Sequence, residues 1–254
     1  MLAKLEKIKE NKEYTLAPIS IEILSDFITP IEAMRILKSA STHAYLLESA
    51  KAHENWGRYT FLGFEPELSI SCTNGKMNVD GKEFECNDPS NYLRELLKKY
   101  KSPRMPSLPP FTGGLVGYFS FDFINYKEPS TKTDIDDGEG FKDIDLMLFK
   151  DVIAFDNVKQ KIILITNIEL NKDISVEYEK AIKYYKEYQK IADNTDNYYW
   201  IAAAYDELED YKTAKEWFLK SIKFDKDGYS EERLGIIYAK EGNQKEALKW
   251  YKVS

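Results

Sequence analysis

The chain has 254 residues, 43% hydrophobic and 31% charged, which is room for one or two domains with a sizeable buried core. Its 36 Lys and Arg stand against 43 Asp and Glu, a net charge of -7, so it lacks the basic surplus of a nucleic-acid binder or an anionic-membrane binder. Cys72 and Cys86 lie outside any CxxC spacing, and with only His43 and His53 a disulfide framework, a zinc knuckle or a Ser-His-Asp triad has little to draw on. The N-terminus MLAKLEKIKENKEY is amphipathic without an apolar stretch of signal-peptide length, and no segment reaches the ~18 apolar residues of a membrane span. A soluble cytoplasmic protein with free thiols is the expectation.

Along the chain, Thr29-Pro30-Ile31-Glu32 supplies an N-cap and an N1 proline ahead of Ala33, Met34, Ile36 and Leu37, predicting a helix. Ala44 to Leu47 is an apolar strand. Alternation through Leu68, Ile70 and Cys72, a turn at Asn74-Gly75, then Met77 and Val79, a turn at Asp80-Gly81, and Phe84 to Cys86 predict a β-meander, because Asn-Gly and Asp-Gly accept positive φ at little cost. Asp88-Pro89 caps a helix whose Leu93, Leu96, Leu97 and Tyr100 share one face. After the proline-rich link from Pro103 to Pro110, Phe111 to Phe123 combines glycines with aromatics in a strand that another group approaches closely. Glu128 to Gly140 is an acidic, polar surface loop. Leu146 to Phe155 and Lys161 to Thr166 form a hairpin around Asp156-Asn157, and the run Ile162-Ile163-Leu164-Ile165 suits a strand buried on both faces. These elements make a strand-rich α+β unit.

The last part differs in texture. All prolines and most glycines lie before residue 141, and from Ser175 onward there is no proline. Laid on itself at a period of 33, the chain superimposes Ala181, Ala214 and Ala247, then Tyr185, Phe218 and Tyr251, and also Tyr205 with Tyr238. This pattern resembles the tetratricopeptide repeat: Tyr205, Ala214 and Phe218 fill its positions once and Tyr238, Ala247 and Tyr251 a second time, with Leu234-Gly235 matching its Leu-Gly. Small Ala lets antiparallel helices approach, and the aromatic fills the gap between neighbouring hairpins. The period is one short of the usual 34, and Lys226 stands where a repeat normally ends in proline. A plain helical hairpin is the alternative. The helix from Ser175 to Ile191 is expected to close the strand-rich unit and to carry the stacked repeats, with Asp193 to Asn197 as the joint. The boundaries are therefore 1–192 for the α+β unit and 193–254 for an all-α array of two repeats, the second incomplete.

Three segments of the first unit carry a further resemblance. Leu46 to Ser49 reads LLES, Arg58 to Pro66 reads RYTFLGFEP, and Pro110 to Asp122 reads PFTGGLVGYFSFD. Their order and spacing resemble the N-terminal half of anthranilate synthase component I, a chorismate-using enzyme family of tryptophan biosynthesis, from about Tyr14 to Tyr188. The same fold occurs in aminodeoxychorismate synthase component I, which LLES disfavours. The resemblance implies a feedback site in which Ser49, with Glu48 beside it, holds the ammonium and carboxylate of L-tryptophan and Leu47 offers room for the indole. Arg58 has two open roles, pairing a ligand's carboxylate or tying one loop to another through a residue such as Glu48. Gly113, Gly114 and Gly117 lack the lysine of a phosphate loop and are read as allowing close packing against a partner domain. Where the family continues with Tyr-Asp and an arginine, this chain has Phe121-Asp122 and Asn125. FDKDGYSEE is not a calcium loop, because Ile236 stands where the closing glutamate belongs. The family keeps its magnesium ligands and acid-base residues in a further domain of a few hundred residues, so the resemblance implies no catalytic residue, metal site or cofactor in this chain and no activity by itself. It also implies a glutamine amidotransferase subunit as partner. Read without the resemblance, the chain is a scaffold whose repeats bind a protein.

Overall fold

The computed structural model describes residues 2–25, 28–48, 57–132, 140–192, 197–224 and 228–253. Ser49, the Asp193–Asp196 joint, Asp225 to Asp227 and most of the 128–140 loop lie outside them. Ten strands form two five-stranded antiparallel sheets, and helices cover them.

The first sheet has the order β1-β10-β9-β3-β2, from Leu16–Leu24 (β1), Lys161–Glu169 (β10), Asp151–Asp156 (β9), Tyr59–Phe64 (β3) and Ala44–Leu47 (β2). Its centre is β10, buried from Ile162 to Ile168, as the unbroken apolar run requires of a strand covered on both faces. The partner β1 pairs along its full length, Leu16 with Glu169 through Leu24 with Lys161. On one face Ile153, Phe155, Ile162 and Leu164 pack with Leu5 of helix α1 (Leu2–Glu10), Leu37 of α2 (Pro30–Ala40) and Tyr178 and Ile182 of α4 (Ile174–Ala192). The opposite face, Val152, Ala154, Ile163 and Ile165, meets Tyr59, Phe61, Leu108 and Phe111. The start of α2 is a capping box: the Thr29 hydroxyl accepts from the Glu32 amide, and the Glu32 carboxylate accepts from the Thr29 amide.

The second sheet has the order β6-β5-β4-β8-β7. Its meander, β4 (Leu68–Thr73), β5 (Lys76–Val79) and β6 (Lys82–Glu85), turns at Asn74-Gly75 and Asp80-Gly81, where all four residues have positive φ. Leu93 and Leu96 of α3 (Pro89–Lys98) pack on its buried face with Ile70, Met77, Ile144 and Leu146. The Asp88 side chain accepts from the Asn91 amide at the start of that helix.

The segment expected to run as one strand from Leu146 to Phe155 is broken at Lys150. Ile144–Phe149 is β8 of the second sheet, and β9 begins at Asp151 in the first. Asn167 enforces the crossing. Its amide donates to the Lys150 carbonyl at 3.2 Å, and its Nδ2 donates to the carbonyls of Lys150 (2.8 Å) and Thr112 (2.6 Å). The Lys150 ammonium sits between Glu67 (2.9 Å) and Glu169 (3.3 Å), so the bend is held from both sides. The glycine-aromatic strand is also shorter than expected: β7 covers Gly114–Phe119, and a 3-10 helix over Phe121–Tyr126 turns Phe123 and Tyr126 back onto the second sheet's core.

The glycines of β7 answer to this chain's own backbone rather than to a partner domain. Gly113, Gly114 and Gly117 have φ of +142°, +144° and +150°. A Cβ on Gly117 would come to 2.0 Å from the Asp145 carbonyl oxygen, and one on Gly113 to 2.9 Å from the Phe149 carbonyl oxygen. The close approach expected from the sequence is that of β8.

Beyond α4 come two helical hairpins, α5 (Asn197–Glu207) with α6 (Tyr211–Ser221) and α7 (Tyr229–Lys240) with α8 (Gln244–Tyr251). The helices α6 and α8 start at N-caps Asp210 and Asn243, 33 residues apart, each accepting from a backbone amide in the first turn. Ala214, Phe218, Leu234 and Ile237 are fully buried between the hairpins, and Gly235 leaves the space that the Tyr251 ring occupies, 2.6 Å from where a Cβ would stand. Ile201 and Ala204 of α5 belong to the core shared by α4 and the first sheet, so the hairpins continue that core. Across the hairpins, Asp206 on α5, 1% exposed, accepts from Arg233 and from Lys240 (3.3 Å) on α7.

Candidate functional site

β2 is the outer strand of the first sheet, and its register puts Tyr45 opposite Gly63, Leu46 opposite Leu62 and Leu47 opposite Phe61. With the period-two alternation of a strand, Leu46 faces the helix-covered core while Tyr45 and Leu47 share the other face. Tyr45 is pinned there. Its ring meets Phe149 edge-on at 4.7 Å and Phe111 at 6.5 Å, and it lies over Gly63, where a Cβ would stand 2.2 Å from the Tyr45 ring. The glycine of the RYTFLGFEP segment is thus the seat of the Tyr45 ring, a matter of space and not of backbone conformation. Burial pushes the Tyr45 hydroxyl well above the usual tyrosine range, and its oxygen is enclosed without a hydrogen-bond partner.

Phe61 continues the aromatic wall, 5.6 Å from Phe111 and 5.8 Å from Tyr59. At the open end of this wall stands Leu47, 46% exposed, followed by the exposed Glu48. Ser49, the next residue, lies outside the described residues. An apolar, aromatic-walled sheet edge that passes into polar residues has the two chemistries that a zwitterionic amino acid with an apolar side chain requires.

Arg58 immediately precedes β3, at the same end of the sheet, but its guanidinium turns to β9 on the other side. Nε donates to both carboxylate oxygens of Asp156 (3.0 and 3.1 Å), and Nη2 donates to Oδ2 at 2.5 Å. Asp156, with a side chain 1% exposed, also accepts from the amides of Val158 (3.2 Å) and Lys159 (3.0 Å). The guanidinium and these amides hold its carboxyl below the usual range against the opposing effect of burial. The Arg58 guanidinium also lies 4.9 Å from the centre of the Tyr59 ring. Of its two open roles the structure displays the loop tie, with Asp156 rather than Glu48 as the partner. The structure therefore brings Leu47 and Glu48 together at the sheet edge and commits the Arg58 fork elsewhere. Tyr45, Gly63, Phe111 and Asp156 were not among the expected site residues. Only the Asp156-Asn157 turn and the glycine inside an aromatic strand hinted at two of them.

A second constellation lies on the other sheet. The Tyr126 hydroxyl donates to Asp143 Oδ2 and accepts from the Gly75 amide, both at 2.7 Å, with Cys72 Sγ at 3.3 Å. Burial raises the Cys72 thiol, which argues against a reactive thiolate, and both cysteines are free. Among the described residues no three His, Cys, Asp or Glu side chains come together as a metal site, and no helix is long and apolar enough to cross a membrane.

Residues 42–229 match the family described as chorismate binding enzyme, a stretch that runs through α5 and α6. Anthranilate synthase component 1 of Acinetobacter calcoaceticus is 37% identical over 175 residues, covering 65% of this chain and 35% of that protein. The protein of the same name from Aquifex aeolicus is 35% identical over 184 residues, covering 71% and 37%, and that from Pseudomonas aeruginosa is 39% identical over 155 residues, covering 59% and 31%. The chain thus spans about a third of the length of these curated relatives. The crystal structure of anthranilate synthase component I from Streptococcus pneumoniae aligns with a TM-score of 0.44 at 26% identity over 66% of this chain and 36% of that one. The match over most of its length makes this chain a member of the chorismate binding enzyme family.

Proposed function

We propose that the chain is the tryptophan-binding regulatory portion of an anthranilate synthase component 1-type enzyme, which makes anthranilate from chorismate with glutamine or ammonia. The observation that carries the reading is the identity with proteins of that name across the stretch that builds β2, β3 and both sheets. On this reading L-tryptophan lies along the β2 edge, its indole against Leu47 and the Tyr45–Phe61 wall, its ammonium and carboxylate at Glu48 and Ser49. Chorismate, magnesium and the acid-base groups belong to a further domain of the enzyme, and a glutamine amidotransferase subunit is its partner. Arg58 contributes by holding β3 to β9, beneath the site. The sibling activity, that of aminodeoxychorismate synthase component I, is disfavoured by the LLES segment and by the names of the relatives. The enzyme would act in the cytoplasm.

Calorimetric or ligand-observed NMR titration of the chain with L-tryptophan tests the reading. A Kd of about 0.1 to 1 mM, or about 4 to 5.5 kcal/mol, is expected where one sheet edge supplies the contacts. Ser49→Ala should cost about 1 to 2 kcal/mol of that affinity. Phenylalanine should bind more weakly than tryptophan. Equal binding of both amino acids, or none at millimolar concentration, would refute the reading.

A second reading concerns the hairpins. Their N-caps 33 residues apart, the buried Ala214 and Phe218 and the Gly235–Tyr251 fit support a tetratricopeptide-like module that binds a protein.

A further inference from the structure

The exposed apolar side chains of the strand-rich unit gather on one edge. Tyr118 and Phe119 end β7, the outer strand of the second sheet, and Phe121 and Ile124 follow in the 3-10 helix; their exposures are 40%, 50%, 90% and 45%. The backbone that carries them is pinned. The Ser120 amide donates to the Asp143 carbonyl at 2.9 Å, Phe123 and Tyr126 pack into the second sheet's core, and the Tyr126–Asp143 hydrogen bond closes the segment. Phe119 also stacks on Phe123, with ring centres 4.8 Å apart. A rigid segment that turns alternate residues inward and leaves Phe121 almost wholly in water is built to present it. Contiguous apolar surface beside an open strand edge marks a contact with another polypeptide.

Two observations select the partner. Helices α1, α2, α4 and α5 already cover the far face of the first sheet, so the hairpins leave β7 open. The relatives run to about three times the aligned length, and the fold they share must meet this third of itself somewhere. We propose that the Tyr118–Ile124 edge seats the remaining two thirds of the chorismate-binding fold, Phe121 and Ile124 entering an apolar recess of that partner. This rests on the anthranilate synthase reading but not on tryptophan binding, so a failed tryptophan titration leaves it standing and the reverse also holds.

The test uses the full 254-residue chain and the portion of the Acinetobacter calcoaceticus relative that lies beyond its match to this chain, titrated by calorimetry. If that portion is insoluble alone, the two are co-expressed and co-purified. A complex is expected, weakened at least ten-fold by Phe121→Ser with Ile124→Ser, and unchanged by Leu219→Ser on α6. Because these residues are exposed, melting temperatures should stay within a degree or two of one another. Hydrogen exchange gives a second readout, with amides from Phe119 to Ile124 slowed in the complex. Absence of a complex in both formats, or a complex indifferent to Phe121 and Ile124, would overturn the proposal. So would self-association of the chain that Phe121→Ser abolishes, which would make a second copy the occupant.

Discussion

Arg58→Ala withdraws the guanidinium from a carboxylate that water reaches poorly, since the Asp156 side chain is 1% exposed. Breaking a buried ion pair on one side costs about 3 to 5 kcal/mol, because the abandoned charge stays desolvated. Here the Val158 and Lys159 amides still hold Asp156, and Arg58 is 32% exposed, so water enters easily and about 2 to 3 kcal/mol is expected. For a protein of this size that corresponds to a Tm lower by about 4 to 12 °C. Urea unfolding of wild type, Arg58→Ala, Asp156→Asn and the double variant measures the coupling directly. The pH dependence follows from the sign of the shift. The Asp156 carboxyl is held below its ordinary 3.8, so the pair stabilises the fold above about pH 4 and loses that contribution as pH falls through the folded-state value. Wild type and Arg58→Ala should therefore converge in acid. A loss below 0.5 kcal/mol at pH 7, or a gap undiminished in acid, would refute the argument. Weakened tryptophan binding at unchanged stability would instead make Arg58 a ligand residue.

Gly117→Ala should cost more than about 2 kcal/mol or abolish folding, as the new Cβ meets the Asp145 carbonyl oxygen at 2.0 Å on a backbone with φ of +150°; expression and chemical denaturation check it. Burial pushes the Asp151 carboxyl up to about 6, so the folded state holds its proton longer than the unfolded chain. Stability should fall by up to about 3 kcal/mol as pH rises from about 4 to about 6, and a flat Asp151→Asn difference across that range would contradict this. Asp206→Ala, which leaves Arg233 and Lys240 without their shared carboxylate between α5 and α7, should lower stability by about 2 kcal/mol, read in the fluorescence of Trp217 and Trp250.

Where the sequence carried local chemistry, it was legible. Thr29-Pro30 and Asp88-Pro89 mark helix starts because capping involves neighbours in sequence, and both caps form. Asn74-Gly75 and Asp80-Gly81 specify their turns for the same reason, and the spacing of 33 recurs as two hairpins. What failed to show depends on residues far apart. The break at Lys150 is imposed by Asn167 from the next strand but one, which no periodicity in Leu146 to Phe155 reveals. The glycines of β7 were legible as positions of close approach, but not that β8 was the group approaching. Strand β1 announces itself in the alternation Ile19, Ile21, Ile23, a signal weaker than the flanking motifs. At the site, Leu47 and Glu48 are local to one strand, whereas the Tyr45 seat on Gly63 and the Arg58–Asp156 tie exist only once β2, β3 and β9 lie side by side.

Backbone amide NMR of the whole chain during titration with L-tryptophan tests the regulatory reading most directly. The account predicts saturable shifts centred on Ala44 to Glu48 and Tyr59 to Phe61, the two strands that build the aromatic wall, with smaller shifts under phenylalanine and loss of the effect in Ser49→Ala. Shifts centred instead on the hairpin aromatics Trp200 and Tyr229, or no shifts at millimolar tryptophan, would contradict it.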